Sequence, residues 1–421
     1  MKAIISKSGI KGKVIAPASK SYTIRGLMCA ALARGESEII HPLGSDDTAA
    51  SLDVLSKVGI HVLQQEDSWQ VTGGDLHQPN TDLFCRESAA TLRFMTAICS
   101  LIPGQSRLTS SPSLSTRPIK PLVQALRQLG VDCLYQDKEA WVTVQGGKLK
   151  GGVTELAGNI SSQFVSALLL ISPFAEKGVK IRLTTPLESQ PFVLMTVECL
   201  KAFGIKANFS EDLKEFETSK QTFQPTKYVV EGDWSSASYL LAIGALAGEV
   251  VVENLNPESL QGDKAILNFL KDMGALVTIG DNSVSIKKSR LKALKADLTD
   301  CIDLLPTMAV LAAAADGVSE FTGIERARLK ESDRPSALRE GLERMGIKVI
   351  EERNRLTITG SSAKGSVIDT RGDHRIAMAF SLLGLNSGGT IINNAECVSK
   401  TYPEFWDILK GIGGEVKIDG K

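Results

Sequence analysis

The stretch Leu55–Leu63, LSKVGIHVL, joins two different patterns of apolar residues. The apolar residues before Gly59 follow the spacing of an amphipathic helix, and those after it alternate as they do in a strand. A glycine just past a helix can adopt the left-handed conformation that closes the last turn. The stretch therefore predicts a helix that ends at Gly59 and is followed directly by a strand.

The same pattern, Leu-x-x-apolar-Gly followed by alternating apolar residues, occurs six times along the chain. Successive copies lie 67 to 74 residues apart. A unit of about 70 residues is too long for a solenoid repeat and long enough for two helices and several strands. The chain is therefore predicted to contain six copies of one α/β unit. The six glycines are Gly59, Gly130, Gly204, Gly274, Gly346 and Gly413.

The length of the chain favours two domains with three of these units in each. A chain of 421 residues exceeds the usual size of a single hydrophobic core. The polar segment SEDLKEFETSKQTFQPTK, residues 210–227, separates a predicted strand from a second strand, a capped turn and an apolar helix. We therefore place a domain junction near residue 230.

Composition excludes several classes of protein. The 48 basic residues balance 48 acidic ones, which is unlike a nucleic-acid or anionic-membrane binder. Seven scattered cysteines without a CxxC pair, and four histidines without HExxH spacing, predict a reduced cytosolic protein without a metal site. Lysines interrupt the apolar N-terminal residues, so no signal peptide is expected. The apolar runs are too short to cross a bilayer, and we expect a cytoplasmic protein.

Basic residues recur near turns of the repeated units, and this points to an anionic ligand. Several predicted helices also begin with small polar residues, as in PASKSYTIRG, ESAATLRF and GNISSQF. Each of these polar residues is either a simple helix cap or part of an anion site. The chain has neither GxxxxGK[ST] nor a GxGxxG after a strand, so P-loop and Rossmann sites are not expected. The basic residues are Lys20, Arg25, Arg93, Arg117, Lys330, Arg334, His374, Arg375 and Lys400.

Two carboxylates are candidates for proton transfer. Asp303 opens an almost wholly apolar helical segment, where it is either a helix cap or a base with a tuned pKa. Glu331 lies in the pentapeptide KESDR, residues 330–334. If that pentapeptide is helical, Lys330 and Arg334 share one face, which is either a solvated surface or part of an anion site.

Seven motifs together resemble the 5-enolpyruvylshikimate-3-phosphate synthase family, in the order in which that family carries them. They are SKS followed by arginine, TRPI, GNISSQF, IDLLP, LKESDR, GDHRIAM and SKTYPEF, and they cover nearly the whole chain. The resemblance implies an α/β fold, a two-domain inside-out α/β barrel with three βαβαββ repeats per domain. It implies one domain of residues 1–18 with 231–421, a second of residues 19–230, and hinges near 18–20 and 228–232.

The resemblance also implies a reaction and a set of site residues. Phosphoenolpyruvate and shikimate 3-phosphate would combine by addition and elimination through a tetrahedral intermediate, without metal or cofactor. His374 would support its neighbours. The implied phosphoenolpyruvate-binding residues are Lys20, Ala89, Arg117, Gln163, Arg334, Arg375 and Lys400. The implied shikimate-3-phosphate-binding residues are Ser21, Arg25, Ser161, Ser162, Gln163, Ser189, Asp303 and Lys330. The implied catalytic residues are Asp303, Glu331, Lys20 and Lys400.

The chain departs from the family pattern in three places. The family usually has Asn-Ala-Gly-Thr where this chain has Glu87–Ala90, so that Ala89 replaces a glycine of the phosphoenolpyruvate pocket. The added methyl group predicts low sensitivity to glyphosate, which is slightly longer than the substrate. Phe192 replaces a common tyrosine, and Arg326 replaces an asparagine that often contacts the shikimate phosphate.

Two alternative functions remain open from the sequence. The sister enolpyruvyl transferase that acts on UDP-N-acetylglucosamine typically carries a reactive cysteine in a loop, whereas the corresponding loop here, LTSSPSLSTRP, has none. A non-catalytic repeat protein that binds a polyanion would need the cations but neither Asp303 nor Glu331. The expected partners are the two small-molecule substrates, with no nucleic acid or membrane, and we expect a monomer because domain closure would complete the site.

Overall fold

The structure is a computed structural model that describes residues 1–136 and 141–420. It divides into two compact units. Met1–Pro17 with Glu231–Lys421 is here called the split unit, and Ala18–Val230 is called the continuous unit. The hinges expected near residues 18–20 and 228–232 stay a prediction.

Helices alternate with strands throughout both units. The helices are α1 Lys20–Leu32, α2 Asp46–Lys57, α3 Ala89–Ile98, α4 Pro112–Ser115, α5 Lys120–Gln128, α6 Ser162–Ile171, α7 Gln190–Ala202, α8 Trp234–Ala247, α9 Ile266–Asp272, α10 Leu305–Ala313, α11 Arg334–Arg344, α12 His374–Ser387 and α13 Phe405–Gly411. Short 3-10 helices span Cys99–Leu101, Ser172–Phe174, Gly262–Ala265, Ile302–Leu304, Glu325–Leu329 and Ala395–Lys400.

The strands are all short. They are β1 Lys2–Ile5, β2 Ile10–Ile15, β3 Gly35–Ile40, β4 His61–Gln64, β5 Ser68–Gly73, β6 Leu83–Phe84, β7 Gly104–Thr109, β8 Asp132–Gln136, β9 Trp141–Gly146, β10 Gly152–Leu156, β11 Val179–Leu183, β12 Asn208–Phe209, β13 Glu215–Thr218, β14 Lys227–Val229, β15 Gly248–Glu253, β16 Leu276–Ile279, β17 Ser283–Lys287, β18 Lys295–Asp297, β19 Val318–Thr322, β20 Lys348–Glu352, β21 Arg355–Thr359, β22 Val367–Ile368, β23 Thr390–Asn393 and β24 Val416–Asp419.

The strands form six four-stranded sheets, one for each repeat. In the sheet β10-β11-β13-β12, the first pair is parallel and the other two pairs are antiparallel. The sheets β6-β7-β9-β8 and β18-β19-β21-β20 have the same arrangement. Each repeat is therefore a βαβαββ unit, and among the described residues no sheet closes into a barrel.

All six glycines of the repeated pattern adopt positive φ, between 80° and 98°. In each copy the amide of the residue directly after the glycine donates to a carbonyl in the last turn of the helix, as Ile60 does to Leu55 at 3.0 Å and Ile205 does to Leu200 at 2.8 Å. This pairing satisfies a helix-end carbonyl and turns the chain into the next strand. The predicted helix–glycine–strand junction is therefore confirmed in all six repeats.

The first helix of each repeat is buried almost completely. In the continuous unit these helices are α1, α3 and α6, and in the split unit they are α8, α10 and α12. Strands such as β11 alternate buried and more exposed residues, so one face of each sheet packs on the helices. Each unit thus has its own hydrophobic core with helices inside, which confirms the predicted inside-out arrangement.

Two strands pair within one unit although the chain continues from each of them directly into the other unit. β2 pairs in parallel with β15 of the split unit, although the chain next enters α1 of the continuous unit. β14 pairs in parallel with β3 of the continuous unit, although the chain next enters α8 of the split unit. β1 lies between β23 and β24. Each unit is therefore completed by a strand that is distant in sequence.

The pentapeptide KESDR is not a single helix. Lys330 has an extended backbone after the 3-10 helix Glu325–Leu329, and α11 begins only at Arg334. Asp333 caps α11 by accepting a hydrogen bond from the amide of Ser336, and the cap places the three residues before Arg334 outside the helix. Lys330 and Arg334 therefore do not share a helix face.

Candidate active site

Most of the predicted site residues of the continuous unit lie at helix N-termini. Lys20 and Ser21 begin α1 after the N-cap Ser19, and Ala89 begins α3. The amide groups of a first helical turn have no partner within the helix and favour negative charge. The other residues placed in this way are Ser161, which caps α6, Ser162, Gln163 and Ser189, which caps α7. The local sequence thus forms a set of anion-attracting helix ends.

Lys20 is tied to two further helices. Its Nζ donates to Oδ2 of Asp47 at 2.9 Å, and Asp47 lies in the first turn of α2. The carbonyl of Asp47 accepts a hydrogen bond from Oγ1 of Thr91 in α3 at 3.5 Å. These contacts fix the first turns of α1, α2 and α3 relative to one another, while Lys20 keeps part of its surface exposed.

Arg25 is held by oxygens of the protein. Nε donates to Oγ1 of Thr196 at 2.8 Å, Nη1 to the carbonyl of Ser21 at 3.0 Å and Nη2 to the carbonyl of Phe192 at 2.9 Å. The guanidinium also lies 5.5 Å from the ring centre of Phe94. Arg25 therefore links α1 to α7, and its expected contact with substrate stays a prediction.

Arg117 and Ser189 lie on loops. Arg117 follows the short helix α4, is half-buried, and its amide donates to the carbonyl of Leu114 at 3.0 Å. Ser189 has a φ of 55°, which is uncommon for a residue with a side chain. Such backbone strain persists only where the surrounding structure imposes it, and it is often found at functional sites.

In the split unit, three cations contact the carboxylate of Asp303. Oδ1 lies 2.7 Å from Nη1 of Arg334 and 3.2 Å from Nζ of Lys330, and Oδ2 lies 3.5 Å from Nη2 of Arg375. Burial alone would raise the pKa of Asp303, but the charges of Arg375, Lys330 and Arg334 outweigh it and hold that pKa well below its usual value. Asp303 is therefore an ionised carboxylate at neutral pH.

Arg334 is the centre of a carboxylate network. Its side chain is 1% exposed and also contacts Glu331 at 2.6 Å and Asp373 at 2.8 Å. Burial would lower the pKa of Arg334, but Asp373, Glu331 and Asp303 raise it above its usual value. Asp373 is fully buried and also accepts from the amide of Arg375, so it caps α12. The network holds Glu331 and Asp303 on opposite nitrogens of one rigid guanidinium.

His374 and Lys400 occupy buried positions in the same unit. Nδ1 of His374 lies 3.9 Å from Oδ1 of Asp373, beside the residues that hold Arg334. Lys400 ends the 3-10 helix Ala395–Lys400 and is largely buried. The predicted site residues of the split unit thus include one tightly connected group, formed by Asp303, Lys330, Glu331, Arg334, His374 and Arg375.

Asp263 is a buried carboxyl group that the sequence analysis did not single out. It is 2% exposed, Oδ2 accepts a hydrogen bond from the hydroxyl of Ser235, and Oδ1 has no hydrogen-bond partner among the described residues. Burial, with a smaller contribution from Asp303, raises the pKa of Asp263 to about 7. Nothing in the segment LQGDKAIL marks this aspartate as unusual, because the residues that surround it, such as Ser235, belong to other parts of the chain.

Asp47 and Asp373 were also missed as site residues, although a local signal was present. Each stands in the first turn or the cap of a predicted helix, in GSDDTAAS and GDHRIAM. Short polar residues at these positions accept hydrogen bonds from backbone amides. The ion pairs with Lys20 and Arg334 connect residues 27 and 39 positions apart, which no local pattern reveals.

In the part of the chain that the structure describes, no cluster of three or more His, Cys, Asp or Glu side chains is arranged to hold a metal ion. Over the same residues, no helix is long and apolar enough to cross a membrane.

Comparison with known proteins gives one consistent result. A family model described as EPSP synthase (3-phosphoshikimate 1-carboxyvinyltransferase) matches residues 5–409. A 3-phosphoshikimate 1-carboxyvinyltransferase from Dehalococcoides mccartyi is 49% identical over 418 residues, which cover 99% of each chain. One from Methanothermobacter thermautotrophicus is 42% identical and covers 98% of this chain and 99% of its own.

The fold agrees with this result. The solved structure of EPSP synthase from Acinetobacter baumannii matches with a TM-score of 0.84 at 26% identity, covering 99% of this chain and 100% of that one. The family match spans both units, including the Asp303 group and the helix N-termini of the continuous unit. The chain therefore belongs to the EPSP synthase (3-phosphoshikimate 1-carboxyvinyltransferase) family.

Proposed function

We propose that this chain transfers the enolpyruvyl group of phosphoenolpyruvate to the 5-hydroxyl of shikimate 3-phosphate and releases inorganic phosphate. The observation that carries the proposal is Asp303, a largely buried, ionised carboxylate contacted by Arg334, Lys330 and Arg375. Membership of the family along nearly the whole chain supports the same activity. The reaction belongs to the shikimate pathway, which leads to aromatic amino acids.

The cations and helix N-termini suit the charge of these substrates. Each substrate carries a phosphate and a carboxylate, so four anionic groups must be bound. Arginine binds both carboxylates and phosphates through two nitrogens, and a helix N-terminus offers amide donors. Phosphoenolpyruvate is assigned to Lys20, Ala89, Arg117, Gln163, Arg334, Arg375 and Lys400. Shikimate 3-phosphate is assigned to Ser21, Arg25, Ser161, Ser162, Gln163, Ser189, Asp303 and Lys330.

Asp303 is assigned as the base that takes the proton of the 5-hydroxyl. Three cations lower its proton affinity while no substrate is bound. Substrate anions that bind Lys330, Arg334 and Arg375 weaken this effect, and the pKa of Asp303 then rises towards the range in which a carboxylate is an effective base. Binding of the substrates therefore prepares the base for its reaction.

Glu331 is assigned as the acid and base at the methylene carbon of phosphoenolpyruvate. In its protonated form it donates a proton to that carbon as the 5-oxygen bonds to the neighbouring carbon, which gives the tetrahedral intermediate and leaves Glu331 as a carboxylate. It then removes a proton from the new methyl group as the bond to phosphate breaks. Arg334 contacts both Glu331 and Asp303, so it holds the two proton carriers in a fixed relation. Lys20 and Lys400 assist the leaving phosphate, and His374 supports its neighbours.

The two alternatives have less support. All seven cysteines are free thiols, six of them buried, and the segment Leu108–Pro118 carries none, unlike the loop of the UDP-N-acetylglucosamine enzyme. A protein that only bound a polyanion would have no use for two carboxylates placed among its cations. Removing Asp303 and Glu331 separates these cases, because binding retained with turnover lost supports the enzyme.

Three features refine the proposal. Ala89 is buried at the first turn of α3, and its methyl group is expected to narrow the phosphoenolpyruvate pocket and weaken glyphosate binding. Arg326 is buried and donates to the carbonyl of Thr299 at 2.7 Å, so this interaction with the protein constrains any contact with the shikimate phosphate. We further propose a cytoplasmic monomer, for which the free thiols are one support.

Phosphate release tests the function directly. Purified protein with both substrates, and without added metal, is expected to release inorganic phosphate, whereas either substrate alone gives none. The Asp303→Asn variant is the matched control, since it keeps the shape of the side chain and removes the base. No release by the unaltered protein, or release without shikimate 3-phosphate, would contradict the proposal.

A further inference from the structure

Arg93 is a buried cation in the continuous unit to which the proposed function assigns no role. It lies in the middle of α3, is 4% exposed, and its guanidinium lies 5.0 Å from the ring centre of Phe164. Its hydrogen bonds reach α6 and the loop that follows α4. A buried arginine that joins three segments restricts each of them, because its planar fork has a fixed geometry.

The contact with Gln163 fixes which end of that amide faces the ligand. Nη1 of Arg93 donates to Oε1 of Gln163 at 2.7 Å. A guanidinium has only donors, so the amide atom that faces it must be the oxygen. The amide nitrogen then points away from Arg93 with both of its hydrogens. Gln163 consequently offers donors, and not its acceptor, to a ligand near the first turn of α6.

The hydroxyl of Ser161, like the amide of Gln163, is left with only a hydrogen-bond donor to offer. Its Oγ accepts from Nη1 of Arg93 at 3.2 Å and from the amide of Gln163 at 3.4 Å. A hydroxyl oxygen that accepts two hydrogen bonds has used both lone pairs, and only its hydrogen remains to be offered. Ser161 and Gln163 therefore both present donors beside the amide groups of a helix N-terminus.

Arg93 also holds the loop that carries Arg117. Nη2 donates to the carbonyl of Pro118, the next residue, at 2.8 Å. The side chain of Arg93 thereby fixes two neutral groups, Ser161 and Gln163, at the start of α6. It also fixes the backbone next to Arg117.

We propose that Arg93 is a positioning residue, which turns Ser161 and Gln163 into a donor-only pair for an anionic ligand and anchors the Arg117 loop beside it. This inference rests on the proposed function, in which Gln163 and Arg117 bind substrate. Arg93 itself acts through these residues.

A double-mutant cycle on kcat/KM tests the coupling. Arg93→Met is expected to lower kcat/KM for phosphoenolpyruvate by about 30- to 100-fold, because the amide of Gln163 is then free to turn its oxygen to the anion. Gln163→Ala removes that amide, and in this background Arg93→Met is expected to cost less than about fivefold. A role in stability alone would give equal losses in both backgrounds, and that result would overturn the inference.

Arg107→Met is the matched control. Arg107 is another arginine of the same unit, with its guanidinium 5.3 Å from the ring centre of Trp141, and it is half exposed. Its removal is expected to leave kcat/KM unchanged. Should Arg93→Met fail to fold, Arg93→Lys keeps the charge on a single nitrogen that cannot reach Gln163 and Pro118 together. It is expected to lose at least about tenfold, and full activity in Arg93→Lys would contradict the inference.

A second readout does not need activity. The side-chain amide signals of Gln163, assigned by their loss in Gln163→Ala, are followed by NMR in protein labelled on glutamine nitrogen. Arg93→Met is expected to shift and broaden them, and Arg107→Met is expected to leave them in place. Unshifted signals in Arg93→Met would overturn the inference. An unaltered protein that releases no phosphate but shows the expected shift would contradict only the proposed function.

Discussion

The two units are built from the same repeat, yet Arg25 and Arg93 of the continuous unit contact groups that differ from those contacted by Arg334 and Lys330 of the split unit. In the continuous unit, Arg25 and Arg93 donate to hydroxyl, amide and carbonyl oxygens. In the split unit, Arg334 and Lys330 contact carboxylates, above all that of Asp303. The neutral contacts orient a guanidinium without neutralising it, whereas the carboxylates cancel charge and lower the pKa of Asp303.

Under the proposed function, this difference suits these cations of the two units to different tasks. A cation oriented by neutral oxygens still attracts an anion, so the continuous unit is suited to binding. A carboxylate surrounded by cations is suited to proton transfer, because its proton affinity changes when a bound anion competes for those cations. One repeat thus allows two kinds of chemistry, which depend on the groups that its cations contact.

The largest expected effect comes from the base of the split unit. Asp303→Asn is expected to lower kcat by about 1,000-fold, since the amide cannot accept the hydroxyl proton. The Kd for shikimate 3-phosphate, measured by calorimetry, is expected to change less than about tenfold. Asp316→Asn is the control, because Asp316 is exposed and pairs with Arg290 at the surface. Turnover retained in Asp303→Asn would remove the proposed distinction between the units.

The next largest effect concerns stability. Arg334→Met is expected to lower the free energy of unfolding by about 3–5 kcal/mol, because Asp303, Glu331 and Asp373 would lose their shared buried partner. Urea unfolding followed by circular dichroism measures this loss. Arg339→Met, on the exposed side of the same helix, is expected to cost less than about 1 kcal/mol. An equal loss of free energy of unfolding in the two variants would contradict the role of Arg334 as the shared partner of the three carboxylates.

Much of the fold and part of the site could be predicted from the sequence. The helix ends at Gly59 and its five counterparts were readable because a left-handed cap is determined by neighbouring residues. Asp303 and Glu331 were singled out because charges stand beside apolar or basic residues in the sequence. The partnership of Arg334 with Asp373 was not readable, since it joins α11 to α12 across 39 residues.

Asp263 gives a smaller effect that depends on pH. Burial raises its pKa from 3.8 to about 7, with Asp303 and Asp233 adding to the rise and Arg375 opposing it. Between these two values the folded chain holds a proton that the unfolded chain has lost, so this group makes stability fall as pH rises from about 4 to about 7.

Asp263→Asn is expected to remove that fall and to raise the free energy of unfolding at pH 8 by about 2 kcal/mol. The effect should shrink as the pH is lowered to 5, and urea unfolding at both pH values measures it. Asp272→Asn, at the exposed end of α9, is expected to show no such dependence. An equal gain in the free energy of unfolding at pH 5 and pH 8 would contradict the raised pKa of Asp263.

The smallest effect concerns ligand selection in the continuous unit. Ala89→Gly is expected to tighten glyphosate inhibition by about tenfold, because one methyl group at a pocket wall contributes about that much discrimination. The inhibition constant is measured in competition with phosphoenolpyruvate. Ala90→Gly, at the next position of α3, controls for the loss of helix propensity. An unchanged inhibition constant in Ala89→Gly would show that this methyl group does not determine glyphosate sensitivity.

The pairing of β2 with β15, which is distant in sequence, has a consequence for synthesis on the ribosome. β2 ends at Ile15, and its partner β15 begins only at Gly248. At typical elongation rates the first strand therefore waits on the order of tens of seconds for its neighbour. The continuous unit, by contrast, has all of its strands once β14 has emerged. The nascent chain is thus expected to acquire the unit suited to anion binding first and the unit that carries the base last.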